Sequence, residues 1–250
     1  MGPGTPGKVY LVGAGPGAAD LLTVRAARLI EGAGIVFHDA LVTEEILALA
    51  RHAELVPVGK RHGRHSAAQD RINAQMIEAA ARHRVVVRLK GGDPMLFGRA
   101  QEEIDALRGA GIEFEVVPGL SAAFAASAVL GVSLTRRGIA RSVVFVTPRV
   151  GAGEGPSRWT DAARGADTVV LYMAAHEASA VARALIESGR DPGTPVAILE
   201  NISLPGAKRQ FCLLGELARA DAVRMGPALL LVGEICREAM HAAQPGNGLG

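Results

Sequence analysis

The sequence predicts an α/β protein of two α/β domains, the first built on a mainly parallel sheet, with the active site in the cleft between them. Three observations carry this expectation. Short apolar runs alternate with helical patterns from Val9 onward, as in units whose right-handed crossovers cover a parallel sheet on both faces. Two of the runs end directly in glycine turns, Gly13-Ala14-Gly15-Pro16-Gly17 and Gly91-Gly92-Asp93-Pro94. Beyond Gly131 the texture changes and a second set of strand patterns begins. A chain of 250 residues holds material for two modest domains or one large one.

In chain order, the first strands are expected at 9–12, 35–37, 55–58, 85–89 and 114–117, with helices near 23–30, 44–50, 67–82 and 101–107. Asp20 or Thr23 suits the N-cap of the first helix. Ser66-x-x-Gln69 has the form of a capping box for the third,. Pro118-Gly119 leads into a further helix over 121–130, and Arg136-Arg137-Gly138 reads as a linker. The domains are therefore placed at 1–136 and 137–243, with 244–250 as a disordered tail. In the second domain, strands are expected at 142–147, 168–173, 196–199 and 228–232, and an edge strand near 209–213. A loop covers 150–156, and a helix over 175–188 is closed by Gly189.

Composition narrows the function classes. Hydrophobic residues are 49% and charged residues 21%, ordinary for a soluble globular protein. No apolar stretch reaches membrane-spanning length, and Met1–Lys8 lacks the apolar core of a signal peptide, so the expected location is cytoplasmic. A net charge of +2 does not by itself indicate nucleic-acid binding. The isolated Cys212 and Cys236 form neither a disulfide framework nor a metal site.

Each glycine turn exposes backbone groups at the carboxyl end of a strand, where open α/β sheets bind ligands. Two such ends suggest one shared small-molecule site. Gly13, Gly15 and Ala18 fit the loose dinucleotide pattern, with Asp39 where a ribose-binding acid would stand,. Against that reading, Pro16 has no N–H to offer a pyrophosphate, and the helix begins too late for the turn to feed its N-terminus. Lys60-Arg61-His62-Gly63-Arg64-His65 is either a solvated basic loop or a docking surface for an anionic ligand. It lies after a strand, on the same rim as the glycine turns, and Arg99, Arg136, Arg137 and Arg141 add to the same positive field.

An ordered series of motifs then carries a resemblance. Val12-Gly13-Ala14-Gly15-Pro16-Gly17, His38-Asp39-Ala40-Leu41-Val42, Val58-Gly59-Lys60-Arg61 and Arg88-Leu89-Lys90-Gly91-Gly92-Asp93-Pro94 are followed by Phe97-Gly98-Arg99 with Glu102-Glu103. Val116-Val117-Pro118-Gly119, Leu134-Thr135, Tyr172-Met173, Thr194-Pro195-Val196-Ala197 and Val232-Gly233-Glu234 complete it. The chain resembles the tetrapyrrole methylases, and among them the uroporphyrinogen-III C-methyltransferases. The resemblance implies methyl transfer from S-adenosyl-L-methionine to two ring carbons (C-2 and C-7) of uroporphyrinogen III, giving precorrin-2 and S-adenosyl-L-homocysteine. Such transfer needs no metal; it needs the donor carbon held in line with the nucleophile.

By the same resemblance, Pro16, Gly91, Gly92, Asp93, Leu96, Ser121, Ala122, Met173 and Ile202 contact the cofactor. Carbon methylation of a pyrrole leaves a proton to dispose of, so an acid/base pair is expected. The family assigns those roles to the positions of Asp39 (acceptor) and Lys60 (donor). Arg99 and Glu102, spaced to share one face at a helix opening, are the rival pair. Arg61, Arg64 and Arg136 are the expected substrate-carboxylate contacts. The family works as homodimers, which a mean hydropathy of +0.22 suits.

Several positions depart from the family pattern. Arg136 replaces a histidine, Thr147-Pro148-Arg149 a Thr-Gly-His, Ala100-Gln101 a glycine pair, Ala40 a polar or basic residue, and Ile202 a small one. The alternatives are a later precorrin methyltransferase, a ribosomal-RNA methyltransferase of the same superfamily, and a non-catalytic anion-binding module. With aromatic residues at only 4%, the basic segment lacks the interleaved stacking platforms that RNA binding favours.

Overall fold

Alternate residues of the first strand enter different cores, and this parity organises the whole first unit. The computed structural model describes residues 6–59, 65–151, 155, 157–220 and 227–243. In β1 (Lys8–Gly13), Val9 and Leu11 pack to one side while Val12 packs to the other. The chain continues through α1 (Val24–Glu31), β2 (Ile35–His38), α2 (Glu44–Leu47), β3 (Glu54–Pro57) and α3 (His65–Ala80). It then forms β4 (Val85–Lys90), α4 (Ala100–Gly109) and β5 (Phe114–Val117). Every strand pairing is parallel, in the order β3-β2-β4-β1-β5. Ile72 and Met76 of α3 and Ile104 and Leu107 of α4 cover the Val9–Leu11 face. Ala26 and Ile30 of α1 and Ile46 of α2 cover the face of Val12, Val87 and Leu89. The central strands β2, β4 and β1 are thus buried on both sides, which is why they read as near-continuous apolar runs,.

Local signals explain the element ends. The Thr23 hydroxyl accepts the Ala26 N–H at 3.1 Å and caps α1, after a 3₁₀ turn over Ala19–Leu21. The first glycine turn therefore does not run into a helix N-terminus. Two details differ from the sequence reading. α3 begins at His65, so Ser66 lies inside the helix instead of capping it, and Gln69 turns inward to donate to Asn73 and Glu103. α2 stops at Leu47, and non-helical turns carry the chain to Ala50.

Contacts divide the chain into Met1–Ala122 and Ala123–Gly250. α5 (Ala122–Leu130) begins at that boundary, and within the second unit Arg136 and Ala140 close a tight turn by exchanging backbone hydrogen bonds. There follow β6 (Val143–Val146), α6 (Trp159–Gly165), β7 (Thr168–Leu171), α7 (Ala178–Glu187), β8 (Pro195–Glu200) and β9 (Lys208–Leu213). α8 (Leu214–Arg219), β10 (Ala228–Val232) and α9 (Arg237–Ala243) complete it. The sheet order is β6-β7-β10-β8-β9, parallel only between β6 and β7. β9 forms an edge, as its polar first half suggests. One core gathers Val169, Leu171, Val196, Ile198, Leu230 and Val232 beneath Val181, Leu185, Leu214 and Leu217. Burial pushes the thiols of Cys212 and Cys236 up to about 11 and about 12, so neither is a thiolate at neutral pH. Among the described residues no helix is long and apolar enough to cross a membrane.

Candidate active site

Because β1 and β4 are neighbours, with Gly13 in register with Lys90, the two glycine turns leave the sheet side by side. Their backbones then pair. Gly15 N–H donates to the Gly92 carbonyl at 3.1 Å, and Gly92 N–H to the Gly15 carbonyl at 2.8 Å. Both residues have left-handed backbone, φ +68° and +69°, a conformation that glycine adopts without steric cost. The packing behind them leaves no room for side chains: a Cβ on Gly119 would stand 2.3 Å from the Gly92 carbonyl oxygen, and one on Gly13 2.7 Å from it. A Cβ on Gly92 would meet nothing within 4 Å. The turn is closed behind and open in front.

Asp93 holds this arrangement with both carboxylate oxygens. Oδ1 accepts the Met95 N–H at 2.8 Å and Oδ2 the Gly119 N–H at 3.0 Å, which ties the β4 turn to the segment after β5. Pro94 is buried, Leu96 and Pro16 are half-buried, and the Gly17 carbonyl accepts the Thr43 hydroxyl at 2.9 Å. The loop after β2 thereby joins the same rim. Leu41 of that loop lies against Gly91, whose added Cβ would come within 3.1 Å of it.

Asp39 stands at the carboxyl end of β2, its N–H donating to the Leu89 carbonyl at 3.1 Å. Its Oδ1 accepts from Arg88 Nη2 at 2.6 Å. Arg88 is only 3% exposed, because β4 sends Val86, Arg88 and Lys90 to the face covered by α3 and α4. On that face Glu103, wholly buried, accepts from Arg88 Nε at 2.9 Å, from Lys90 Nζ at 2.9 and 3.1 Å, and from Gln69 Nε2 at 3.2 Å. Two buried cations thus face Glu103 and the half-buried Asp39. Burial opposes the charge on Arg88, yet Asp39 and Glu103 outweigh it and raise the guanidinium's pKa. Burial, together with the charge of Arg88, pushes Lys90 below the ordinary lysine value.

Arg99 caps α4 in a left-handed conformation (φ 56°) and grips Glu102 with both arms, Nε to Oε1 at 2.6 Å and Nη2 to Oε2 at 2.5 Å. That hydrogen-bonded pair is exposed and raises the pKa of Arg99. Gly59 packs against Ala40 so closely that a Cβ there would lie 2.6 Å from the Ala40 Cβ. The chain therefore enters the basic segment beside the Asp39 loop. Lys60, Arg61 and Arg64 themselves lie outside the described residues.

Ser121 is buried and Ala122 half-buried at the start of α5. In the second unit, the Ala123 N–H donates to the Tyr172 hydroxyl at 3.3 Å, and the Tyr172 ring lies 6.4 Å from that of Phe145. Met173 follows, exposed and left-handed (φ 56°). Ile202 is buried between two further left-handed residues, Asn201 (φ 50°) and Ser203 (φ 67°). Arg136 is engaged by Glu238 at 2.8 Å on the surface.

The first unit therefore brings together Asp39, Pro16, Gly91, Gly92, Asp93 and Leu96, with the Arg99–Glu102 pair at the head of α4. Sequence reasoning missed Arg88, Lys90 and buried Glu103. Their signal was parity: Arg88 and Lys90 alternate on one face of a buried strand, and Glu103 falls on the inward stripe of Ala100, Ile104 and Leu107.

The sequence profile of the tetrapyrrole (corrin/porphyrin) methylases matches residues 8–218. A siroheme synthase of Psychrobacter sp. (strain PRwf-1) is 45% identical over 238 residues, covering 94% of this chain and 49% of that protein. This chain thus spans about half the length of the curated relatives it matches. Among solved structures, the uroporphyrin-III C-methyltransferase of Thermus thermophilus complexed with S-adenosyl homocysteine is 40% identical with a TM-score of 0.83. The match covers 93% of this chain and 100% of that one. A cobalt precorrin-4 methyltransferase is 27% identical with a TM-score of 0.79, covering 91% and 95% of the two chains. A profile match running through both units, joined to such identity and fold agreement, establishes that the chain belongs to the tetrapyrrole methylase family.

Proposed function

We propose that this chain methylates uroporphyrinogen III at two ring carbons, C-2 and C-7, to give precorrin-2. The observation that carries the proposal is the open-fronted pair of glycine turns with an arginine-held carboxylate, Asp39, on the neighbouring strand end. S-adenosylmethionine supplies an electrophilic methyl carbon when bound. The residues present fit it: Gly91 and Gly92 keep side chains out of its way, and Pro16, Leu96, Ser121, Ala122, Met173 and Ile202 are the proposed contacts. With the methyl group transferred to a ring carbon and S-adenosylhomocysteine left behind, the ring would carry a positive charge. Asp39 would accept the proton the ring then loses, and Lys60 is the family's proton-donor position. Arg61, Arg64 and Arg136 meet the substrate carboxylates, Arg136 by giving up Glu238. The similarity to uroporphyrin-III C-methyltransferases at 38–41% identity, above the 27% to a later corrin-pathway enzyme, favours this substrate.

Incubation with S-adenosylmethionine and enzymatically made uroporphyrinogen III, followed by product mass and spectrum, tests the reading. A mass gain of two methyl groups supports it; an unchanged tetrapyrrole overturns it. Gly119→Ala is expected to weaken S-adenosylhomocysteine binding in calorimetry tenfold or more, about 1.4 kcal/mol or greater, because its Cβ must displace the Gly92 carbonyl. Unchanged affinity would remove the glycine turns from the cofactor site. The same proposal includes a homodimer formed through one self-complementary patch. Light scattering is expected to give a mass well above the 25.9 kDa of one chain, and a monomer at micromolar concentration would reject it.

A further inference from the structure

We propose that Glu103 is the positioning residue of this site, one buried carboxylate that fixes Asp39, the Gly91–Asp93 turn and the Arg99–Glu102 fork relative to one another. The inference rests on Asp39 acting as the acid/base group.

Glu103 reaches each of these elements through a single side chain or one turn of helix. Arg88 spans from Glu103 (Nε, 2.9 Å) to Asp39 (Nη2, 2.6 Å), and a planar guanidinium cannot move one end without the other. Lys90 reaches Glu103 with its ammonium, and its Cε lies 3.2 Å from where a Cβ on Gly98 would stand. Its backbone carbonyl also accepts the Ala14 N–H at 2.7 Å, so one residue touches both glycine turns and the floor of the loop before Arg99. Glu103 itself follows Glu102 in the first turn of α4. Gln69 adds α3, the helix that follows the basic segment.

Stability alone does not explain a carboxyl group at this place. A buried ion set is commonly replaceable by apolar residues of similar volume without loss of stability, whereas its directional bonds fix a geometry that apolar packing leaves loose. Here those bonds run to the loops that carry the proposed chemistry. Glu103 has no exposed surface with which to meet a substrate, so it acts through Arg88 and Lys90.

The test compares wild type, Asp39→Asn, Lys90→Met with Glu103→Gln, and the triple variant, assayed with S-adenosylmethionine and uroporphyrinogen III. The Lys90–Glu103 double variant loses one charge of each sign, so Arg88 and Asp39 remain balanced. It is expected to lose about 10–100-fold in kcat, the scale on which outer partners of a reacting group act. KM for the tetrapyrrole and calorimetric affinity for S-adenosylhomocysteine should stay within about threefold. The Gly15–Gly92 and Asp93–Gly119 hydrogen bonds keep the turn's own shape, and only its placement against Asp39 is lost, which is read in kcat. The triple variant should be no slower than Asp39→Asn, because groups that act as a unit are not additive. If the double variant fails to bind S-adenosylhomocysteine, Glu103→Asp replaces it; that change keeps every charge and withdraws the carboxylate by one methylene, with the same expectations. Full activity of the variant, or multiplied losses in the triple, overturns the inference alone. Asp39→Asn at wild-type rate overturns the reading of Asp39 and the inference with it.

Discussion

Arg88→Leu is expected to cost about 3–5 kcal/mol of stability, the range for removing one partner of a buried ion set. The substitution leaves Glu103 wholly buried with Lys90 as its remaining cation and strips Asp39 of its partner. At roughly 2–4 °C per kcal/mol for a chain of this size, the thermal midpoint should fall by about 6–20 °C. Arg108→Leu provides the contrast. That arginine makes an exposed 3.4 Å pair with Asp105 one helical turn away, and its loss should cost less than about 1 kcal/mol. Urea titrations of both variants decide the matter. A loss below about 1 kcal/mol for Arg88→Leu would mean that water reaches the cluster and the charges are not confined.

Asp39→Asn is expected to reduce kcat by about 10²–10⁴-fold, the usual contribution of one acid/base group. The side-chain oxygen that accepts from Arg88 is kept, so the loop should hold its place and S-adenosylhomocysteine affinity should barely change. Arg99→Lys probes the rival pair, because lysine keeps the charge and loses the planar fork that grips both oxygens of Glu102,. An Asp39→Asn enzyme at near wild-type rate beside a dead Arg99→Lys enzyme would move the proton chemistry to Arg99 and Glu102.

Most of the first sheet was legible because the apolar runs of its central strands β1, β2 and β4 are largely buried, and glycine turns sit directly behind β1 and β4. The sequence suggests only that the two strand ends share one site; that their backbones pair follows from β1–β4 adjacency, which sets the turns side by side. What escaped was the buried charge. Glu102 and Glu103 look alike in sequence, yet the inward stripe of α4 sends Glu103 beneath the sheet face and leaves Glu102 to Arg99 at the surface. Ser66 misled for a related reason: the helix begins at His65, and Gln69 is drawn inward by Glu103 instead of folding back on the helix start. In the second unit the short helices α6, α8 and α9, with six or seven residues each, give too few turns for a 3.6-residue pattern to register. Their stability comes from packing, not propensity.

The pairing of β1 has a consequence during synthesis. Its neighbours are β4 and β5, with Lys8 opposite Val85 and Val9 opposite Phe114. At roughly 5–20 residues per second, Val85 is made about four to fifteen seconds after Lys8. Throughout that interval Val9-Tyr10-Leu11-Val12 is an apolar strand with neither edge occupied, the kind of segment that nascent-chain chaperones shield and that associates with its like when crowded. The strand that later anchors both glycine turns is therefore the first of its sheet to leave the ribosome and the last to have both edges covered.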